Sequence, residues 1–384
     1  MRKIFQVTCI VAVIAMLASC GGEKCPDKNR YTIKCTINDA ELEGALEGEM
    51  VYLRNSEYNH IDSALVRNGG FVMEGCVNEP WIATLVCYNV SFDRQLVVEA
   101  GTIVVTADSI GGTPLNDKLH TFLKSIDMSD LEAVAQECYD KISGFDWTYN
   151  TIPSEVKQVL DSLESVATSR EKEACWKAYH ENGDNIVGVF AMETLCSVED
   201  FTYPEFDSIV KAASPLVANS EEVQATLTRL HNIDATSVGR HYTDLKGQVS
   251  LVRGQYKDGK LSDLIKGKLA LVDFYASWCT PCCNEIKENL VPLWNKYKDQ
   301  GLVIVGLNVW EYGDEQDKKA AHMKVMKELG ITYPQLMDTT KTATETYVVS
   351  FIPHIMLIGP DGTILARDLR GDTIETAIIE ALKK

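Results

Sequence analysis

The chain has 384 residues, 45% of them hydrophobic, enough for two or three packed units. Its 55 acidic against 37 basic residues leave a formal charge of -18, and so acidic a surface argues against nucleic acid as a partner. Twelve cysteines in one chain call for a redox, metal or disulfide explanation.

In chain order, Arg2 and Lys3 precede an apolar stretch over residues 4–17, which ends in Leu17-Ala18-Ser19-Cys20. The stretch is shorter than the roughly 20 apolar residues of a membrane span and fits a secretory h-region. It reads as a bacterial lipoprotein signal over 1–19, with Cys20 as the lipidated residue and 20–30 as a linker. An ordinary signal peptide or an uncleaved anchor are the competing readings, and all three place the rest outside the cytoplasm. That compartment permits structural bridges among Cys25, Cys35, Cys76, Cys87, Cys138, Cys175 and Cys196, with connectivity left open.

Residues 31–39, 50–54, 60–67, 70–77, 81–89, 95–100 and 102–107 alternate apolar and polar positions between turn signals such as Asn68-Gly69-Gly70. They predict a small antiparallel β domain over 31–114 in which nothing looks catalytic. The period then changes. Apolar residues recur at three and four over 117–127, 131–142, 153–178 and 221–231, predicting a helical segment over 115–234. Trp147 and Trp176 read as packing anchors there. Polar and turn-forming residues over 235–248 then lead into the C-terminal domain, 235–384.

That domain carries the chemistry. Residues 269–276 form an apolar run suited to a parallel strand buried on both faces, and Trp278-Cys279-Thr280-Pro281-Cys282 follows it at a helix start. This spacing brings the two Cα atoms to about 5.5 Å, within disulfide range, and the helix N-terminus stabilises a thiolate. Cys279 is the expected nucleophile and Cys282 its resolving partner. A zinc half-site is the competing reading, but no second pair follows at ligand spacing, so no metal is expected. Asp273 interrupts the apolar strand, so its pKa is expected to be raised, and it could take the proton from Cys282; an acid that reaches water at the strand end is the alternative. Glu285, three residues after Cys282, is a second candidate for the same proton, or a solvated helix charge. Cys283 would point about 100 degrees away from Cys282 and reads as a buried structural thiol.

Downstream, 302–309 predicts a second buried strand, 314–329 a helix ended by Gly330, and 352–358 a strand leading through Pro360-Asp361-Gly362 into another. A closing helix over 373–383 completes a β-α-β-α-β-β-α order. His354, alone beside a loop, reads as a neutral surface residue.

The run Val272-Asp273-Phe274-Tyr275-Ala276-Ser277-Trp278-Cys279-Thr280-Pro281-Cys282, with Pro353 far downstream, resembles the active-site strand and turn of the thioredoxin superfamily. Asn308-Val309-Trp310-Glu311 and the helix after it resemble the extracytoplasmic, membrane-tethered TlpA/ResA branch. The resemblance covers about 240–384 and implies an α/β thioredoxin-like domain. It implies that Pro353 is cis and opposite the cysteines, that the Ile352 backbone pairs with an extended substrate segment, and that Trp278 faces substrate. A trans proline at an edge strand is the alternative for Pro353. The stretch 31–114 resembles the β domain found ahead of thioredoxin modules in Bacteroidota lipoproteins.

The function so implied is that of a lipid-anchored thiol-disulfide oxidoreductase of the cell envelope, facing the periplasm and reducing protein disulfides. Its partners would be protein thiols or disulfides and an upstream electron-donor protein, with no cofactor besides the Cys279/Cys282 disulfide. Two other readings stand beside it. A thiol peroxidase is disfavoured because Ala276 stands where a threonine or serine would precede the reactive cysteine. A ligand-binding or scaffolding lipoprotein with an auxiliary redox domain is motivated by the long non-catalytic region.

Overall fold

The computed structural model describes residues 25–37, 39–142, 152–252 and 254–383. The signal over 1–19, the lipidation site Cys20 and the packing anchor Trp147 lie outside the described residues. The chain divides into two compact units, one ending at Ala174 and the other beginning at Cys175.

In the first unit the expected alternation produces two four-stranded sheets. One runs His60–Leu65, Met50–Arg54, Trp81–Cys87, Phe92–Val98, antiparallel throughout. Along Met50–Arg54, Val51 and Leu53 are fully buried and their neighbours are not, the burial that a period of two dictates. The other runs Gly70–Cys76, Arg30–Thr36, Gly101–Val105, Ile110–Gly111. Here Arg30–Thr36 and Gly101–Val105 pair in parallel, which a purely antiparallel reading of the domain does not include. Side-chain alternation is the same in both ladders, so only the long connection between these strands sets their direction. Cys25 bridges Cys76, Cα atoms 5.9 Å apart, while Cys35 and Cys87 are buried thiols. Helices Pro114–Ser125 and Ser129–Ile142 follow where the helical period predicts them, and Ser154–Asn182 continues past the boundary.

Three further helices open the second unit, Ile186–Val198, Tyr203–Ala212 and Pro215–Ala218, before Glu221–Ala235. Ile186–Val198 escapes a periodicity argument because it is apolar nearly all round, with Val187, Ala191, Met192 and Leu195 buried. Asn185 caps it through Val187 N, and Glu205 accepts from Thr202 N at the start of Tyr203–Ala212.

The core of this unit is a seven-stranded sheet in the order Gln255–Lys260, Lys246–Val252, Gln335–Met337, Leu302–Asn308, Leu269–Tyr275, His354–Ile358, Ile364–Ala366. Leu269–Tyr275 is buried along its whole length, parallel to Leu302–Asn308 and antiparallel to His354–Ile358. On one face its side chains pack against the helices that follow the cysteines; on the other they meet Leu261, Leu264, Ile265 and Tyr347. The expected β-α-β-α-β-β-α order is present, extended by an edge hairpin whose first strand begins inside the polar 235–248 stretch and by Gln335–Met337. That strand has three residues, too few to show a period. None of the described helices is long and apolar enough to cross a membrane.

Candidate active site

The site is assembled at the C-terminal end of Leu269–Tyr275. Leu269, Leu271 and Tyr275 pack in one cluster with Cys279, Cys282 and Ile286, so the intervening Asp273 shares the cysteine-facing side of the sheet. Asp273 is 1% exposed and neither carboxyl oxygen has a hydrogen-bond partner among the described residues. Burial pushes its pKa up to about 8, the Glu285 charge adds to the rise, and Arg370 opposes it. Asp273 is therefore mostly a neutral acid at pH 7.

Cys279 is the N-cap of helix Thr280–Glu285, and Pro281 sits in the first turn, where its missing N–H costs nothing. Cys279 and Cys282 are disulfide-bonded with Cα atoms 5.3 Å apart. The Cys282 backbone N–H points at Cys279 Sγ, 3.2 Å away, which is the donor a thiolate there would use. Cys279 keeps a sliver of exposure, 5%, and Cys282 has none, an asymmetry that lets a macromolecule reach only the first sulfur. Beyond Glu285 the helix widens into a π turn, Ile286–Leu290, ahead of Pro292, whose ring could not continue a regular ladder.

The Ile352–Pro353 peptide is cis, and Ile352 O lies 3.9 Å from Cys279 Sγ. Arg370 donates through Nη2 to Pro353 O, and its guanidinium lies over the exposed Phe351 ring. His354, read as a surface residue, is in fact 4% exposed in the sheet, because it opens a strand beside the central one. Burial pushes its pKa down to about 4, so at neutral pH it is an uncharged ring 2.7 Å from Asp368 Oδ1, hydrogen-bonded and not an ion pair.

Trp278 is 46% exposed beside Cys279, its indole N–H donates to Trp310 O at 2.9 Å, and its ring rests on Tyr312. Glu311 holds the turn that carries it, accepting from Ser277 N, Ser277 Oγ and Asn308 Nδ2 at 2.6, 2.7 and 2.8 Å. Glu285 is half-buried at the end of the redox helix, and its Oε1 accepts from Asn289 Nδ2 and Gly371 N, which fixes the carboxylate in place. Cys283 turns away from the pair, its Sγ 3.8 Å from Ser277 O, half-buried, with burial pushing its thiol pKa up.

The structure thus brings together Cys279, Cys282, Asp273, Glu285, Trp278, Ile352 and Pro353. Sequence reasoning assigned no part to Glu311 or Arg370. The first stands just past a strand end, where an acid facing unpaired turn N–H groups is a usable signal; the second has none, since it reaches back past the paired strands His354–Ile358 and Ile364–Ala366.

The AhpC/TSA family profile matches residues 238–367, and a domain of unknown function, DUF4369, matches 31–119. Thiol-disulfide oxidoreductase ResA of Bacillus subtilis is 36% identical over 106 residues, 28% of this chain and 55% of the relative, so the match spans little more than half of that protein. ResA of Bacillus thuringiensis is 30% identical over 129 residues, 33% of this chain and 70% of the relative. Among solved structures, the thioredoxin domain of a Bacteroides vulgatus thiol-disulfide oxidoreductase is 30% identical, covering 38% of this chain and 96% of that one, with a TM-score of 0.32. The chain therefore belongs, through its C-terminal domain, to the ResA-like thiol-disulfide oxidoreductases of the AhpC/TSA thioredoxin family.

Proposed function

We propose that the protein reduces disulfides in other proteins through Cys279 and Cys282. The observation that carries this reading is the Cys279–Cys282 pair at a helix N-terminus, with Cys279 Sγ facing the backbone of Ile352 and the buried Asp273 on the same side of the sheet. In the reduced protein, Cys279 thiolate attacks one sulfur of a substrate disulfide; a new S–S bond forms and the other substrate sulfur leaves as thiolate. Asp273, in its ionised form, takes the proton from Cys282. The Cys282 thiolate then attacks Cys279 Sγ, closing the intramolecular disulfide and releasing the second substrate thiol. Two electrons have passed to the substrate, and an upstream donor protein returns them by the reverse exchange. Glu285 acts here as a charge that keeps Asp273 basic, since its own oxygen is occupied by Gly371 N and Asn289. No cofactor besides the cysteine pair enters.

The chain would work in the cell envelope, held to a membrane by a lipid on Cys20 and facing the periplasm. The Leu17-Ala18-Ser19-Cys20 sequence and the Cys25–Cys76 bridge, which an oxidising compartment favours, support this. The test is Cys282→Ser in intact cells: it should accumulate mixed disulfides through Cys279, cleared by reductant. A variant that traps no protein would refute the exchange chemistry.

A further inference from the structure

In the same compact unit as the cysteines, a cleft of about 730 Å³ opens between helix Glu221–Ala235 and the segment that leads into the cis proline. Ala225, Thr228 and Asn232 line one wall; Thr346, Val348 and Ser350 line the other. The first wall lies outside residues 238–367, which the AhpC/TSA profile matches.

The cleft is held in shape from both sides. Asn232 Nδ2 donates to Glu345 O at 3.2 Å, and Arg367 donates to Thr236 O, Thr236 Oγ1 and Tyr347 O at 2.9, 3.0 and 2.5 Å. Val348, a β-branched residue, is held at φ 48, a left-handed conformation that costs free energy and persists only where surrounding contacts impose it. At the end nearest the cysteines, the backbone N–H groups of Ser350, Phe351 and Ile352 donate to no acceptor among the described residues. Unpaired main-chain donors along an open edge are what an added strand pairs with, as in other peptide-binding grooves. The lining offers hydroxyls, amides and small apolar groups, while its charges, Glu221 and Glu345 against Arg229, are mixed in sign and select no strongly charged ligand.

We propose that this cleft docks the extended, uncharged polypeptide segment flanking the cysteine under attack, so that helix Glu221–Ala235 selects the protein substrates of the redox site. The inference rests on the disulfide-exchange reading above. With Ile352 O 3.9 Å from Cys279 Sγ, a strand paired along 350–352 carries its cysteine to that sulfur and its neighbours into the cleft. Five such residues span about 17 Å.

The experiment uses the full chain with Cys282→Ser, reduced, and three mixed disulfides of 2-nitro-5-thiobenzoate. One is with cysteine alone; the others are with peptides carrying five Ser, Thr and Val residues before or after the cysteine. Cys279 thiolate attacks the cysteine or peptide sulfur, a Cys279 mixed disulfide forms, and the coloured thiolate leaves with the bonding electrons. One of the extended disulfides should react about tenfold faster than the short one, the gain of one or two net hydrogen bonds. Adding Thr228→Trp, or in a separate protein Ala225→Trp, should bring that ratio down towards one. Because the ratio is taken within each variant, the short disulfide reports whether its active site is folded. Equal rates for all three disulfides, or a ratio that neither tryptophan changes, would overturn the groove. No release from the short disulfide would instead defeat the exchange reading on which it rests.

Discussion

Replacing Asp273 with Asn tests the electrostatic heart of the site through stability. With a pKa of about 8 in the folded chain against the ordinary 3.8, the native protein keeps a proton that the unfolded chain has already lost. Between those values the folded state binds more protons, so its stability falls as pH rises, by 1.36 kcal/mol per pH unit from this group. The contribution is complete below pH 4, is eroded through neutrality and levels off above pH 8. Wild type minus Asp273→Asn should therefore lose about 4 kcal/mol between pH 5 and pH 8. Taking the difference cancels both the other titrating groups and the constant cost of burying an amide without partners. The assay is equilibrium urea unfolding of the oxidised protein at several pH values, read from the tryptophan fluorescence of the transition that carries Trp278, Trp294 and Trp310. Parallel pH profiles for the two proteins would refute the claim that Asp273 is held neutral by burial.

Glu311→Ala should strip the Ser277 and Asn308 donors of their acceptor and cost about 3 kcal/mol, with Trp278 fluorescence shifting as its turn loosens. A loss below about 1 kcal/mol in urea unfolding would mean that water replaces the carboxylate freely. The Cys25–Cys76 bridge closes a loop with a sequence separation of 51, which chain entropy values at about 4 kcal/mol. Its double Ser variant should unfold at correspondingly lower urea in the unit ending at Ala174, and an unchanged midpoint there would contradict that value.

Local pattern was enough for the parts of this protein whose neighbours are close in sequence. Cys279 and Cys282 announce themselves because spacing and a helix start are local. Asp273 stood out as an acid interrupting an apolar strand, and its burial follows from the apolar residues on either side. The strands of the first unit and the amphipathic helices were legible for the same reason. What the tertiary structure decided is everything that depends on which distant segment arrives next. It placed Ile352 and cis Pro353 against Cys279 and Arg370 over Pro353 O, it moved His354 from the expected surface into the sheet, and it joined Cys25 to Cys76 while leaving Cys35 a buried thiol. Helix Ile186–Val198 and strand Gln335–Met337 were invisible for a related reason: one is apolar on every side and the other too short, so burial by neighbours, which no periodicity encodes, defines them.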